Sequence, residues 1–186
     1  YTKAEMTSFH GPVGYSTWTD FTKKYFTKTL FSKKETEMLA PAKSNFYTIS
    51  KGIAQGELIG GNLTVFSQLI GTPYLPDMHG KLLFIEDINE EPYRIDRMLM
   101  QLKLAGILSQ VNGIIIGECR KCDPEEPEKS LSLKQVLQDH LSNLNIPVFY
   151  GAKFGHIKDK WTLPVGIKAE MNADIGSLKL LEPAVI

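Results

Sequence analysis

Short apolar runs alternate along the chain with segments that repeat apolar residues at helical spacing. The runs at 81–86, 113–118 and 146–150 have the length and the β-branched and aromatic content of buried strands. The segments 92–108 and 131–143 lie between these runs, and their apolar residues recur every three or four positions, as in an amphipathic helix. Strands separated by helices predict an α/β fold with a mainly parallel sheet.

The C-terminal segment predicts a different kind of strand pairing. There "IKAEMNA" and "SLKLLE" flank the turn sequence "DIG", in which glycine suits a positive φ. This pattern predicts an antiparallel β-hairpin at one edge of the sheet.

The N-terminal third is more polar. Residues 5–13 are predicted to form a short strand, and residues 17–31 a helix that Ser16 or Thr17 would cap. Residues 32–51 contain proline, serine and asparagine without a clear period, and we interpret them as an irregular linker. We therefore divide the chain into residues 1–51, the end of one domain with a helix and linker, and residues 52–186, a second domain.

The second domain begins with a glycine-punctuated strand and turn, "GIAQGELIGGN", followed by a short helix at 63–70. Gly60 and Gly61 are expected to adopt positive φ or to allow a close backbone approach, and Asn62 to cap the short helix.

Charge and hydropathy exclude several classes of partner. Lys plus Arg and Asp plus Glu number 21 each, so no net field attracts nucleic acid or an anionic membrane. No apolar run is long enough to span a bilayer, and the first residues lack the apolar core of a signal peptide. We expect a cytoplasmic protein. Since the chain does not start with Met, we also expect it to begin within a longer protein.

The two cysteines form one C-x-x-C motif, Cys119 and Cys122. A zinc site needs a second pair of ligands at suitable spacing, and a thioredoxin-like site needs the motif to open a helix. Here an acidic, proline-containing loop follows the motif. We interpret the cysteines as a reduced pair in a cytosolic loop and expect neither a metal nor a cofactor; a redox or metal role is the alternative.

The preference for acidic residues at the start of a helix does not explain the position of Glu86. Glu90 and Glu91 suit the start of the helix that Pro92 opens. Glu86 comes earlier and directly follows the run Leu82–Ile85. The carboxyl end of a strand in an α/β sheet is where ligands and catalytic groups collect.

His156 is the histidine most suited to work with Glu86, because it opens a loop after the last predicted parallel strand. Together they predict a base and its orienting carboxylate, with heavy atoms about 2.6–3.2 Å apart. The other histidines are interpreted as surface or cap (His140), solvent-exposed (His79) and strand end (His10).

A nucleophile for this pair is missing. Ser16 does not fit the G-x-S-x-G elbow, and we favour the capping role for it.

Several motifs together carry a resemblance to a known family. They are G-G-N-L, G-T-P-Y-L-P-D, L-F-I-E-D, P-Y-R-I-D-R-M-L, the later G-H, and the closing "LEPAV". The chain resembles the LD-carboxypeptidases, the muramoyltetrapeptide carboxypeptidases of murein recycling, a family that includes microcin self-immunity peptidases. "TSFHGPVGYSTWTDFTKKYF" resembles the segment joining the family's two domains, so residues 52–186 would be the C-terminal domain.

The resemblance implies a serine peptidase that releases terminal D-alanine from murein tetrapeptide through an acyl-enzyme, without metal or cofactor. Its Ser-Glu-His triad would use Glu86 to orient His156, with Asp87 structural. Gly61 and Asn62, in the glycine-rich turn, are candidate substrate-binding residues. Members of the family are commonly dimeric, so a homodimer is one expected assembly.

The nucleophile is expected outside this chain. In the family it lies in a G-Y-S-D-type turn upstream of the position of "FHGP", and this chain begins just before "FHGP". We expect the missing N-terminal domain to be a partner and the chain alone to be inactive. The alternatives are a non-catalytic module that binds murein peptide or a partner protein, and a microcin-type self-immunity peptidase.

Overall fold

The computed structural model describes residues 6–40 and 45–185. Within them the chain forms four helices: α1 (Asp20–Leu30), α2 (Leu63–Ser67), α3 (Pro92–Leu104) and α4 (Leu133–Leu141). The strands are β1 (Ser8–His10), β2 (Glu37–Leu39), β3 (Tyr47–Ser50), β4 (Ile53–Asn62), β5 (Leu82–Glu86), β6 (Gly113–Gly117), β7 (Val148–Ala152), β8 (Leu163–Val165), β9 (Lys168–Asn172) and β10 (Ser177–Leu180).

Eight of these strands form one mixed sheet in the order β2-β10-β9-β4-β5-β6-β7-β3. The central strands β4, β5, β6 and β7 are parallel, and the predicted hairpin is present as the antiparallel pair β9–β10. Strands β5 and β6 are buried at every position, which is why they appear in the sequence as unbroken apolar runs. The predicted α/β class is confirmed. A separate antiparallel pair joins β1 to β8.

The interpretation of residues 32–51 as an irregular linker is wrong for two short segments. Strand β2 pairs antiparallel with β10, and β3 pairs antiparallel with β7, so they form the two edges of the sheet. Strand β2 has only three residues, of which Met38 is buried and both neighbours are exposed. Three positions are too few to show the alternation by which a strand is recognised in a sequence. Residues 41–44 of the predicted linker lie outside the described residues. The division of the chain at residue 51 stays a prediction.

The sheet separates two apolar clusters. Side chains alternate along β5, so that Leu83 and Ile85 pack with α3 and α4, whereas Leu82 and Phe84 pack on the opposite side. The second cluster includes the fully buried Trp161. The parallel strands are therefore covered on both faces.

Gly60 and Gly61 lie inside β4 and pair with Phe84 and Ile85 of β5, so the predicted turn is instead the end of a strand. Their backbone geometry and the cap at Asn62 are as predicted. Gly60 and Gly61 both have φ of 153°, and a Cβ on Gly60 would lie 2.7 Å from the carbonyl carbon of Phe84 in β5. The side chain of Asn62 accepts a hydrogen bond from the backbone N–H of Val65 at 3.1 Å and so caps α2.

The predicted cap of the first helix is wrong. Helix α1 begins later than expected, and Thr19 is its N-cap, with Oγ1 accepting from the N–H of Thr22 at 3.2 Å. The hydroxyl of Thr19 also donates to Asp159 at 2.7 Å, a distant partner that the local pattern does not reveal. Ser16 instead closes a turn, where its hydroxyl oxygen accepts from the N–H of Val13.

None of the helices in the described part of the chain combines the length and apolar character needed to cross a lipid bilayer.

Candidate active site

Glu86 is the last residue of β5, and its side chain is fully buried. A buried carboxylate is costly unless other groups compensate for the lost water. Its Oε2 lies 2.8 Å from Nδ1 of His156, 70 residues later in the chain. The predicted approach of these two side chains is confirmed, and its distance lies within the predicted range.

His156 opens the loop after β7, and its side chain is 46% exposed. A carboxylate only accepts hydrogen bonds, so the contact with Glu86 favours the tautomer that carries its proton on Nδ1. Nε2 then remains as an acceptor. The geometry therefore presents a half-exposed base that a buried carboxylate orients, which is the arrangement needed to remove a proton from a nucleophile.

Two glycines make room for the carboxylate. A Cβ on Gly155 would lie 2.8 Å from Cγ of Glu86, and a Cβ on Gly117 would lie 3.0 Å from its Cβ. Gly155 also has φ of 98°, a conformation that other residues rarely adopt. The G-H motif is explained by this geometry, although the roles of both glycines were not predicted.

His10 is a third member of the cluster that the sequence did not predict. It ends β1 as expected, and its Nε2 lies 3.9 Å from Oε1 of Glu86. Its ring packs near Phe84 and Phe154, with centroid distances of 5.6 and 6.0 Å. Burial lowers the pKa of His10, although the neighbouring carboxylate of Glu86 raises it.

Asp87 makes structural contacts, as expected from the sequence. It is 2% exposed and accepts hydrogen bonds from the side chain of Asn62 at 2.8 Å and from the backbone and hydroxyl of Thr64 at 2.9 and 2.8 Å. These bonds connect the end of β5 to the start of α2. Since Asn62 also caps α2, both ends of its amide make structural bonds.

The substrate-binding role of Gly61 and Asn62 stays a prediction. A Cβ on Gly61 would meet no atom within 4 Å, so the backbone there borders open space.

A cleft of about 1000 Å³ lies beside the pair. His10 and His156 line it, together with residues 13 and 15–17 and the cationic side chains of Arg120, Lys158 and Lys160. Burial lowers the pKa of Lys160, and the carboxylate of Glu86 opposes this shift. The cleft therefore contains both the proposed base, His156, and three cationic side chains.

The remaining histidines lie away from Glu86. The prediction that His140 is a surface or cap residue is wrong: it is 6% exposed, and its Nε2 lies 2.7 Å from Oδ1 of Asp96 in α3. The spacing of His140 from the buried Val136 and Leu137 would have revealed this position. His79 is exposed as predicted, and it contacts Asp77 at 2.8 Å.

Cys119 and Cys122 are free thiols in contact with each other. The hydrogen bond between them and the burial of Cys119 raise the pKa of its thiol. Across residues 6–40 and 45–185, no group of three or more His, Cys, Asp or Glu side chains is arranged to hold a metal ion.

The family model described as the LD-carboxypeptidase C-terminal domain matches residues 55–171, more than half of the chain. The chain belongs to this family, which confirms the resemblance seen in its motifs.

Individual relatives agree with this assignment. The chain is 43% identical over 175 residues to the probable murein peptide carboxypeptidase of Bacillus subtilis (strain 168), covering 90% of this chain and 53% of that protein. It is 30% identical over 152 residues to the microcin C7 self-immunity protein MccF of Escherichia coli, covering 80% of this chain and 44% of that protein.

A solved structure gives the same picture. The muramoyltetrapeptide carboxypeptidase from Oxalobacter formigenes matches with a TM-score of 0.80 and 35% identity, over 94% of this chain and 60% of that one. The chain spans about half the length of the curated relatives named above.

Proposed function

We propose that this chain supplies the glutamate and histidine of a serine-type LD-carboxypeptidase that removes terminal D-alanine from murein tetrapeptide. The observation that carries the proposal is the 2.8 Å contact between the buried Glu86 and the half-exposed His156 at the cleft. The nucleophilic serine would lie in a part of the protein outside this chain, in the N-terminal domain that family members carry.

In this proposal Glu86 holds the proton of His156 on Nδ1, and Nε2 takes the proton of the serine hydroxyl as its oxygen attacks the peptide carbonyl carbon. The carboxylate stabilises the imidazolium that results. The imidazolium then protonates the amino group of D-alanine, the peptide bond breaks, and an acyl-enzyme remains. His156 next deprotonates a water molecule, whose oxygen attacks the ester carbonyl carbon. The imidazolium then returns this proton to the serine oxygen as the ester bond breaks and the shortened peptide leaves.

The charge of the cleft suits this substrate class, because a carboxypeptidase acts on a peptide that ends in a carboxylate. Arg120 and Lys158 line the cleft and form no ion pair with any side chain that the structure describes. We assign them to attract the substrate carboxylate, with Arg120 suited to a two-pronged contact.

A microcin-type self-immunity peptidase is the second candidate. The 30% identity to MccF supports it, and the same pair would serve either peptide substrate. For the murein substrate we place the reaction in the cytoplasm, where the recycling of murein peptides takes place.

The test is the release of D-alanine from murein tetrapeptide by the full-length protein that contains this chain. His156→Ala should lower kcat/KM by about 10⁴-fold or more, because both proton transfers lose their base. His79→Ala is the matched control, since His79 is an exposed histidine whose contact is with Asp77, and it should keep full activity.

The 186-residue chain alone should release no D-alanine above the buffer control. Full activity of His156→Ala would contradict the proposal. So would turnover by the chain alone that Ser16→Ala abolishes.

A further inference from the structure

Glu86 has an imidazole near each of its two carboxylate oxygens. Oε2 contacts Nδ1 of His156 at 2.8 Å, whereas Oε1 is buried without a hydrogen-bond partner among the described residues. Nε2 of His10 lies 3.9 Å from Oε1. An unsatisfied buried carboxylate oxygen is costly, and in a native protein it needs an explanation.

We propose that His10 is a positioning residue for this pair, and that it donates from Nε2 to Oε1 so that Oε2 stays directed at His156. The inference rests on the proposed function for its catalytic meaning, although the contact itself does not. At 3.9 Å the two atoms are too far apart for a hydrogen bond, and closing the gap needs a movement of about 1 Å. Catalytic hydrogen bonds are often this loose before substrate binds.

The fold holds His10 in place for this role. The pairing of β1 with β8 sets His10 opposite Leu163, more than 150 residues later in the chain. The ring packs near Phe84 and, edge to face, near Phe154, and the side chain is 26% exposed. The imidazole therefore sits at the end of a strand against two buried rings, which hold it beside Oε1 and leave only a small movement to complete the contact.

The charge state of His10 matters for the chemistry. The titratable groups that face it are Glu86 from β5 and, from the loop after β7, His156 and Lys160. Burial lowers the pKa of His10, and His156 and Lys160 lower it further, against the opposite effect of Glu86. His10 is then neutral near pH 7, so it donates one N–H without adding a positive charge. The negative charge of Glu86 stays available to stabilise the imidazolium of His156.

The activity test compares two variants in the full-length protein. His10→Phe keeps a ring between Phe84 and Phe154 but removes the donor, whereas His10→Gln keeps an N–H at a similar distance from the backbone. We expect His10→Phe to lower kcat about 10- to 100-fold with KM within about twofold, as for the loss of one hydrogen bond to a charged group. His10→Gln should recover most of kcat. Wild-type kcat in His10→Phe overturns the proposal.

A second measurement needs neither a variant nor activity. In protein with ¹⁵N-labelled histidine, NMR at pH 7 should show His10 neutral with its proton on Nε2, and His156 with its proton on Nδ1. A cationic His10, or one with its proton on Nδ1, overturns the proposal. Failure to release D-alanine would instead count against the proposed function, so the two failures are distinguishable.

Discussion

The carboxylate of Glu86 lies in the space that a side chain at Gly155 would fill. A Cβ on Gly155 would come within 2.8 Å of Cγ and 2.9 Å of the carboxylate carbon of Glu86. Gly155 also takes a φ of 98°, which turns the chain so that the next residue, His156, meets Glu86 at 2.8 Å. The G-H pair is thus a steric requirement of the contact between base and carboxylate.

Gly155→Ala should therefore separate Glu86 from His156. We expect kcat/KM for D-alanine release by the full-length protein to fall by about 10²-fold, since a misplacement of about 1 Å at a reacting group has this effect. Gly14→Ala is the control, because a Cβ on Gly14 would meet no atom within 4 Å and the residue has no positive φ. Equal activity in the two variants would contradict the packing argument.

The lowered pKa of His10 predicts how stability changes with pH. Unfolded His10 binds its proton near the ordinary value of 6.5, whereas the folded protein binds it only at lower pH because burial disfavours the charged ring. Between these two values the unfolded state holds more protons, so stability falls as the pH is lowered. The Tm of the wild-type protein should drop more from pH 7 to pH 5 than the Tm of His10→Phe. An equal drop in both proteins would contradict the assignment.

Gly60 and Gly61 allow a matched test of close backbone approach. They share a φ of 153°, but only Gly60 faces a neighbour, the carbonyl of Phe84. Gly61→Ala should lower the free energy of unfolding by about 1 kcal/mol through backbone strain alone. Gly60→Ala should cost more than about 3 kcal/mol, because β4 and β5 must move apart. Denaturant unfolding measures both values, and equal losses would contradict this account.

The contact between the buried His140 and the partly exposed Asp96 should stabilise the packing of α3 against α4. His140→Ala removes a buried ring and leaves Asp96 without this partner, so we expect a loss of about 2–3 kcal/mol in the free energy of unfolding. His79→Ala, at an exposed histidine, should leave Tm unchanged. If both variants unfold at the same temperature, the contact does not stabilise the helices.

The sequence predicted the parts of the fold whose signals are local. Strands β5 and β6 are buried on both sides and appear as apolar runs, while α3 shows its inner face through the spacing of Ile95, Leu99 and Leu102. The edge strands β2 and β3 were not predicted, because strands this short and half-exposed show no clear alternation of apolar and polar residues.

The candidate site divides in the same way. Glu86 ends one parallel strand and His156 follows another, so their approach was predictable from chain order. The position of His10 depends on the pairing of β1 with β8, which the order of elements does not specify. The roles of Gly117 and Gly155 could not be predicted either, because they depend on the space that the distant side chain of Glu86 occupies and not on the local sequence.

The proposal that Glu86 and His156 activate a serine outside these 186 residues rests on their 2.8 Å contact and on the family to which the chain belongs. Treating the full-length protein with a fluorophosphonate and mapping the adduct by mass spectrometry tests it most directly. We expect one labelled serine upstream of residue 1, with labelling slowed about 10³-fold or more in both His156→Ala and Glu86→Ala. An adduct on Ser16, or labelling that neither substitution slows, would contradict it.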